Sequence, residues 1–224
     1  MDPKLTIEKS QQLKISVIQI VREEYEMILL ARIFESQFGK QLVFRGGTAL
    51  RLAYNSPRFS DDLDFSQLQP IRVEQFQKWC QETAYANEYI ELVEALKKSM
   101  TLFALFKIKD PASPATISIK IEISVRRQQW KQDQDYTLMR LQSEITPITV
   151  LAQVATLSRI EKEKLNINPK RIRDVFDLWY LGQRLKKQHQ MDFHQFDNQQ
   201  VKRELHRLLG EGSRRLIEQW LPKN

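Results

Sequence analysis

The chain has 224 residues, enough for one large domain or two small ones, with 42% hydrophobic residues to build a core and a formal net charge of +7 that favours an acidic partner such as nucleic acid, nucleotide or acidic protein. The only cysteine, Cys80, excludes an intrachain disulfide and a zinc site built on several cysteines. No apolar run is long enough to cross a bilayer and the polar first residues contain no apolar signal core, so the expectation is a cytoplasmic protein without a membrane partner.

In chain order, Thr6 to Phe38 carries broad apolar stripes at helical spacing, for one long helix or two shorter ones, and Gly39 supplies a stop. Leu42-Val43-Phe44 reads as a short buried strand. Gly46 and Gly47 follow, and a helix is expected from Thr48 onward. Without a Cβ, paired glycines let backbone approach a ligand closely, and a helix start aims N–H groups at an anion.

Then comes Ser60-Asp61-Asp62-Leu63-Asp64-Phe65. In a strand, residues i and i+2 share a face, which sets Asp62 beside Asp64 with Leu63 in the core. Two carboxylates this close repel each other and raise each other's pKa, unless a cation sits between them. Mg²⁺ fits, because it takes oxygen ligands and leaves room for phosphate oxygens. A phosphate cradle and a metal-binding pair in one short stretch, with Arg58 and Ser60 at the approach, suggest phosphoryl or nucleotidyl transfer. Taken singly, the glycines also read as a turn and the aspartates as a solvated strand end.

Farther on, Val73 to Ala84 is helical, and Tyr89–Val93 and Thr101–Ile108 read as strands. Cys80 falls in that helix as a small core residue. The cleanest strand is Thr116 to Val125, in which Ile117, Ile119, Ile121, Ile123 and Val125 share one face, and Lys120 and Glu122 the other. The same alternation also describes an edge strand facing water. Arg126, Arg127, Trp130 and Lys131 mix charge with an aromatic, as in a single-strand binding surface or a loop with a packed Trp. From Ile148 to Ile160 the spacing predicts a helix, Glu161 to Lys164 a solvated charge run, and Arg171 to Leu181 a second helix in which Arg171 or Arg173 pairs with Asp174. Asp192 to Asn224 reads as one or two helices, with Phe193 and Phe196 in the core, Trp220 and Leu221 docking the end, and His189, His194 and His206 on the surface.

The run GGTAL…RFSDDLDFS resembles the first motif of the AbiEii/AbiGii-type toxins, within the DNA polymerase β-like nucleotidyltransferase superfamily, and RIRDVFDLWYL resembles a later RD-x-x-DL motif. The resemblance implies an α/β (α+β) fold, a mixed sheet flanked by helices. It divides the chain into a nucleotidyltransferase-like domain over 1–145 and a helical domain over 146–224. It implies Mg²⁺ on Asp62, Asp64 and Glu122, with Glu122 also serving as a base. A nucleoside triphosphate would be seated by Gly46, Gly47, Thr48, Arg58, Ser60 and Lys120, with Asp174 in the active-site region. The implied role is a toxin–antitoxin or phage-defence system, with transfer of NMP to RNA (a tRNA 3′ end being the narrower expectation) and a cognate antitoxin as partner. The family's usual lysine, in an A-E-K-like triplet of the preceding helix, aligns with Ala152-Gln153-Val154, where valine binds no phosphate; Lys162 or Lys164 is the substitute. That departure keeps two alternatives open: a protein that binds nucleotide, RNA or antitoxin without turnover, and a phosphotransferase acting on protein.

Overall fold

The computed structural model describes residues 1–221, so the last three residues of the expected C-terminal helical stretch, 222–224, lie outside the described residues. Two helices open the chain, α1 (Pro3–Leu13) and α2 (Val17–Glu35). Strand β1 (Leu42–Arg45), helix α3 (Gly46–Tyr54) and strand β2 (Asp62–Gln67) follow. Helix α4 (Val73–Tyr85) leads to strands β3 (Ile90–Lys98), β4 (Thr101–Ile108) and β5 (Ile117–Ser124). Strands β6 (Tyr136–Leu141) and β7 (Val150–Ala155) come next, then helices α5 (Leu157–Leu165), α6 (Ile172–Leu185), α7 (Asn198–Leu208) and α8 (Glu211–Glu218).

The strands form one mixed seven-stranded sheet in the order β3-β4-β5-β2-β1-β7-β6. Strands β2 and β5 run parallel, as do β1 and β7, while β1 and β2 are antiparallel. The α/β expectation holds. The Thr116–Val125 alternation belongs to an interior strand, with β4 on one side and β2 on the other, so its polar face is not an edge face.

Alternation along the central strands sorts side chains into two cores. Leu42 and Phe44 of β1, Leu63 and Phe65 of β2, and Ile119 and Ile121 of β5 join α2 and α4 in the main core. Val43 points the other way, into a smaller cluster with Leu50 of α3, Ile160 of α5 and Leu181 of α6. Arg45, Asp62, Asp64, Lys120 and Glu122 therefore share the second face, where α3, α5 and α6 wall them in.

The structure differs from expectation beyond residue 141. Ile148 to Ile160 is not one helix: Val150–Ala155 is strand β7, and only Leu157 onward is helical. Val150, Leu151, Val154 and Leu157 satisfy helical spacing by coincidence, while burial alternates at Val150, Ala152 and Val154 as a strand requires. Strand β6 is a further element, which pairs antiparallel with β7. The division expected at 145/146 falls inside this hairpin, so both expected segments supply strands to one sheet. Glu161 and Lys164 are buried rather than solvated, and Trp220 is exposed rather than docked. His189 and His206 are half-buried, and His189 Nε2 lies 2.7 Å from Glu161.

Candidate functional site

Register sets the acidic floor. Asp64 lies opposite Glu122 on β5 and opposite Arg45 on β1, and Asp62 lies opposite Lys120. Directly opposed residues on one face are within side-chain reach. Three charged groups thus stand in a row across three strands, with the Asp62–Lys120 pair one pleat away. Lys120 Nζ is 3.7 Å from Asp62.

The diglycine bend sits directly above this floor. Gly46 has φ +82°, a conformation that L side chains rarely adopt, and a Cβ there would meet Asp64 Oδ2 at 2.5 Å. A Cβ on Gly47 would collide with the Arg58 guanidinium and stand 2.8 Å from Ser60 Oγ. Both glycines open the first turn of α3, so helix N–H groups and the positive helix end face the same space. Both line a cavity of about 220 Å³ whose walls include Ser60, Asp62, Asp64, Glu122, Arg45 and Lys164.

Burial raises the Asp64 pKa, with Asp62 adding to it and Arg45 opposing it. Burial also raises that of Glu122, reinforced by Asp64 and Asp62. These carboxylates offer oxygen donors only, and their mutual repulsion suits a hard divalent cation. Among the described residues no three His, Cys, Asp or Glu side chains are grouped closely enough to enclose a metal alone. The expected metal set of Asp62, Asp64 and Glu122 is therefore not grouped as a three-carboxylate site.

Behind the floor lies a buried ionic chain. The Arg58 guanidinium grips Asp177 with two bonds of 2.8 and 2.9 Å, and donates a third of 2.8 Å to the Phe59 carbonyl. Lys164 Nζ bridges Asp174 at 2.8 Å and Asp177 at 2.7 Å. Arg171 closes the chain on Asp174 through Nε at 2.8 Å and through its own backbone N–H at 3.2 Å, which caps α6. Burial acts to raise both carboxylates, but the cations overcome it and hold Asp174 and Asp177 below the usual range.

Of the expected site residues, Gly46, Gly47, Arg58, Ser60, Asp62, Asp64, Glu122 and Asp174 line the cavity. Thr48 does not: its hydroxyl donates to the Asp62 carbonyl at 2.5 Å and is buried, tying α3 to β2. Lys120 opens onto an adjoining groove. Arg58 spends three of its five N–H groups on Asp177 and Phe59, so it braces the bend while its guanidinium still lines the cavity. Asp174 likewise serves Lys164 and Arg171.

Sequence reasoning missed Arg45 and Glu163, named Lys164 only as one of two substitutes on a run read as solvated, and read Arg171 and Arg173 only as helix pairing partners. Lys164 bears on the question of the absent lysine. Ala152-Gln153-Val154 lies in a strand, and the helix preceding the RD-x-x-DL segment is α5, whose Lys164 lines the cavity. Ile160 and Lys164 stand four residues apart on one helix face, and that was the available signal.

The family model described as "Nucleotidyl transferase AbiEii toxin, Type IV TA system" matches residues 28–219. No curated protein matches the chain. Among solved structures, MenT4, a nucleotidyltransferase toxin from Mycobacterium tuberculosis H37Rv, is 18% identical with a TM-score of 0.59, over 92% of this chain and 68% of that one. JHP933 from Helicobacter pylori is 20% identical with a TM-score of 0.54, over 75% of this chain and 68% of that one. A putative nucleotidyltransferase of the same organism is 22% identical with a TM-score of 0.52, over 74% and 68%. These likenesses establish a shared fold.

Proposed function

The chain belongs to the AbiEii family of nucleotidyltransferase toxins, and on that premise we propose that it transfers a nucleoside monophosphate from an NTP to RNA, with a tRNA 3′ end as the narrower acceptor. As a member of that family it is a nucleotidyltransferase of the toxin–antitoxin class. A cognate antitoxin is the protein partner this reading implies, and phage defence is a setting in which such a toxin serves.

One observation carries the reading: the Gly46-Gly47 bend lies within contact distance of the Asp64 carboxylate, so a phosphate over the bend also lies over the acidic floor. Asp62 and Asp64 would hold Mg²⁺, which supplies positive charge to the phosphate oxygens. The remaining roles belong to this chain's own groups. The N–H groups of Gly46 and Gly47 receive phosphate oxygens at the start of α3. Lys164 makes two of its three possible bonds within the ionic chain, which leaves one N–H for a phosphate. Arg45 and Arg171 add charge at the wall. Glu122 faces the floor beside Asp64 and takes the proton from the attacking hydroxyl. That oxygen forms a bond to the α-phosphorus as the bond to the departing pyrophosphate breaks.

Incubation with Mg²⁺, labelled NTPs and total RNA, beside an Asp62→Ala/Asp64→Ala control, tests the proposal. Label on RNA that disappears in the control supports it. Label on protein transfers the assignment to the protein-directed reaction, and nucleotide binding without transfer to a binding role. Lys164 at the cavity supports turnover over that last outcome. Toxicity on expression, relieved by co-expression of a neighbouring open reading frame, tests the partner.

A further inference from the structure

The second cavity, about 600 Å³, adjoins the first and shares Asp62 and Arg173 with it. Its walls come from three distant parts of the chain: Arg22 on α2, Lys120 on β5, and Arg203 and Arg207 on α7. Asp61 lies among them. Arg207 holds its carboxylate with bonds of 3.1 and 2.5 Å, Arg22 Nε stands 3.3 Å away and Arg173 3.9 Å. Glu204, also in the wall, pairs with Arg173 at 3.4 Å, and the groove still sets five cations (Arg22, Lys120, Arg173, Arg203 and Arg207) against the three carboxylates of Asp61, Asp62 and Glu204. Arg203 is exposed and has no ion pair among the described residues. Among the described residues Lys120 has an ion pair only with Asp62, at 3.7 Å.

We infer that this groove is the acceptor channel, which binds the sugar–phosphate backbone of a single-stranded nucleic acid end and delivers its terminal hydroxyl to Asp62. The inference rests on the nucleotidyl-transfer reading. In-line attack requires the hydroxyl to arrive from the side opposite the leaving pyrophosphate. With the triphosphate over the glycine bend, the open side of Asp62 is this groove, and its walls carry more cations than carboxylates. Guanidinium and ammonium groups along a trough are the usual means of holding a backbone without reading its bases. An acidic protein fits the charge but not the position, since the groove ends at the reacting carboxylates. The Arg126–Lys131 loop, where Trp130 packs against Tyr136 and beneath Arg159, is the rival surface.

The test uses the full chain and a fluorescein-labelled single-stranded oligoribonucleotide, with binding followed by anisotropy across a salt series. Arg203→Glu changes an exposed helix residue and leaves the fold intact, as circular dichroism will verify. Expected is a roughly tenfold weaker affinity and a log–log salt slope smaller by about one, with NTP binding unchanged. A second variant, Arg126→Glu/Arg127→Glu, is expected to bind as the wild type does. The inference is overturned if Arg203→Glu binds normally, if only the loop variant loses affinity, or if the wild type does not bind the oligonucleotide. Failure of the underlying reading looks different: the wild type then transfers no label from NTP to any RNA, whatever its affinity for the oligonucleotide.

Discussion

Replacing Asp177 by Ala removes one carboxylate from the centre of the buried ionic chain. The Asp177 side chain is 0% exposed and that of Arg58 is 3%. The variant keeps the Arg58 charge in the interior with one remaining acceptor, the Phe59 carbonyl. Lys164 retains Asp174, so the loss falls mainly on Arg58. Removing one partner of a buried, bidentate pair costs about 3–5 kcal/mol, because the survivor is left desolvated and unpaired. For a domain of this length that is a drop in Tm on the order of 10 °C. Urea unfolding followed by circular dichroism measures it. A double replacement, Arg58→Met with Asp177→Leu, is expected to recover most of the loss, because an apolar pair of similar volume has no charge to bury. A single-variant cost below about 1 kcal/mol, or a double variant no better than the single, refutes the claim that this chain braces the bend.

The same carboxylates set the acid limit. Asp174 and Asp177 have folded pKa values below their unfolded ones, so their contribution is present above roughly pH 4 and fades as pH falls toward the folded values. The unfolding free energy is expected to fall between pH 5 and pH 3, less steeply in Asp177→Asn, and equal slopes count against it. Asp64 has the opposite sign. Its folded pKa is raised, so its charge destabilises the fold above the unfolded pKa, and Asp64→Asn is expected to gain roughly 1 kcal/mol in the absence of metal while losing transfer. Added Mg²⁺ is expected to raise the Tm of the wild type and not of that variant; equal shifts place the ion elsewhere. Gly46→Ala combines a strained φ with a Cβ 2.5 Å from Asp64 Oδ2 and is expected to cost about 2 kcal/mol and reduce transfer at least tenfold. A variant with normal stability and activity removes the close approach from the argument.

Much of the site was legible because its residues are close in sequence and follow strand periodicity. The spacing of Asp62 and Asp64 around Leu63, and the five apolar residues on one face of the Glu122 strand, fix which side each carboxylate occupies. Pairing one strand with the other required the family resemblance. What was hidden depends on distance along the chain. Arg58 and Asp177 are 119 positions apart, and nothing local indicates that the arginine at the approach is also a brace. Lys164 looked solvated because its neighbours Glu161 and Lys162 are charged, yet one helix face turns Lys164 and Ile160 inward together. The β6–β7 hairpin was lost because apolar residues in β7 also satisfy a period near 3.6.

Helix α7 joins the loop that enters β2 at several points: the Phe59 N–H donates to the Leu208 carbonyl at 2.8 Å, Arg58 bridges to Leu209, and Arg207 clasps Asp61. During synthesis the strand bearing Asp62 and Asp64 leaves the ribosome long before that helix exists. A nascent chain can therefore pair this strand with β1 and β5 while its entry loop still lacks the contacts that α7 supplies. For a protein of a toxin family, such an order of assembly leaves the entry to the acidic pair unbraced until α7 is made.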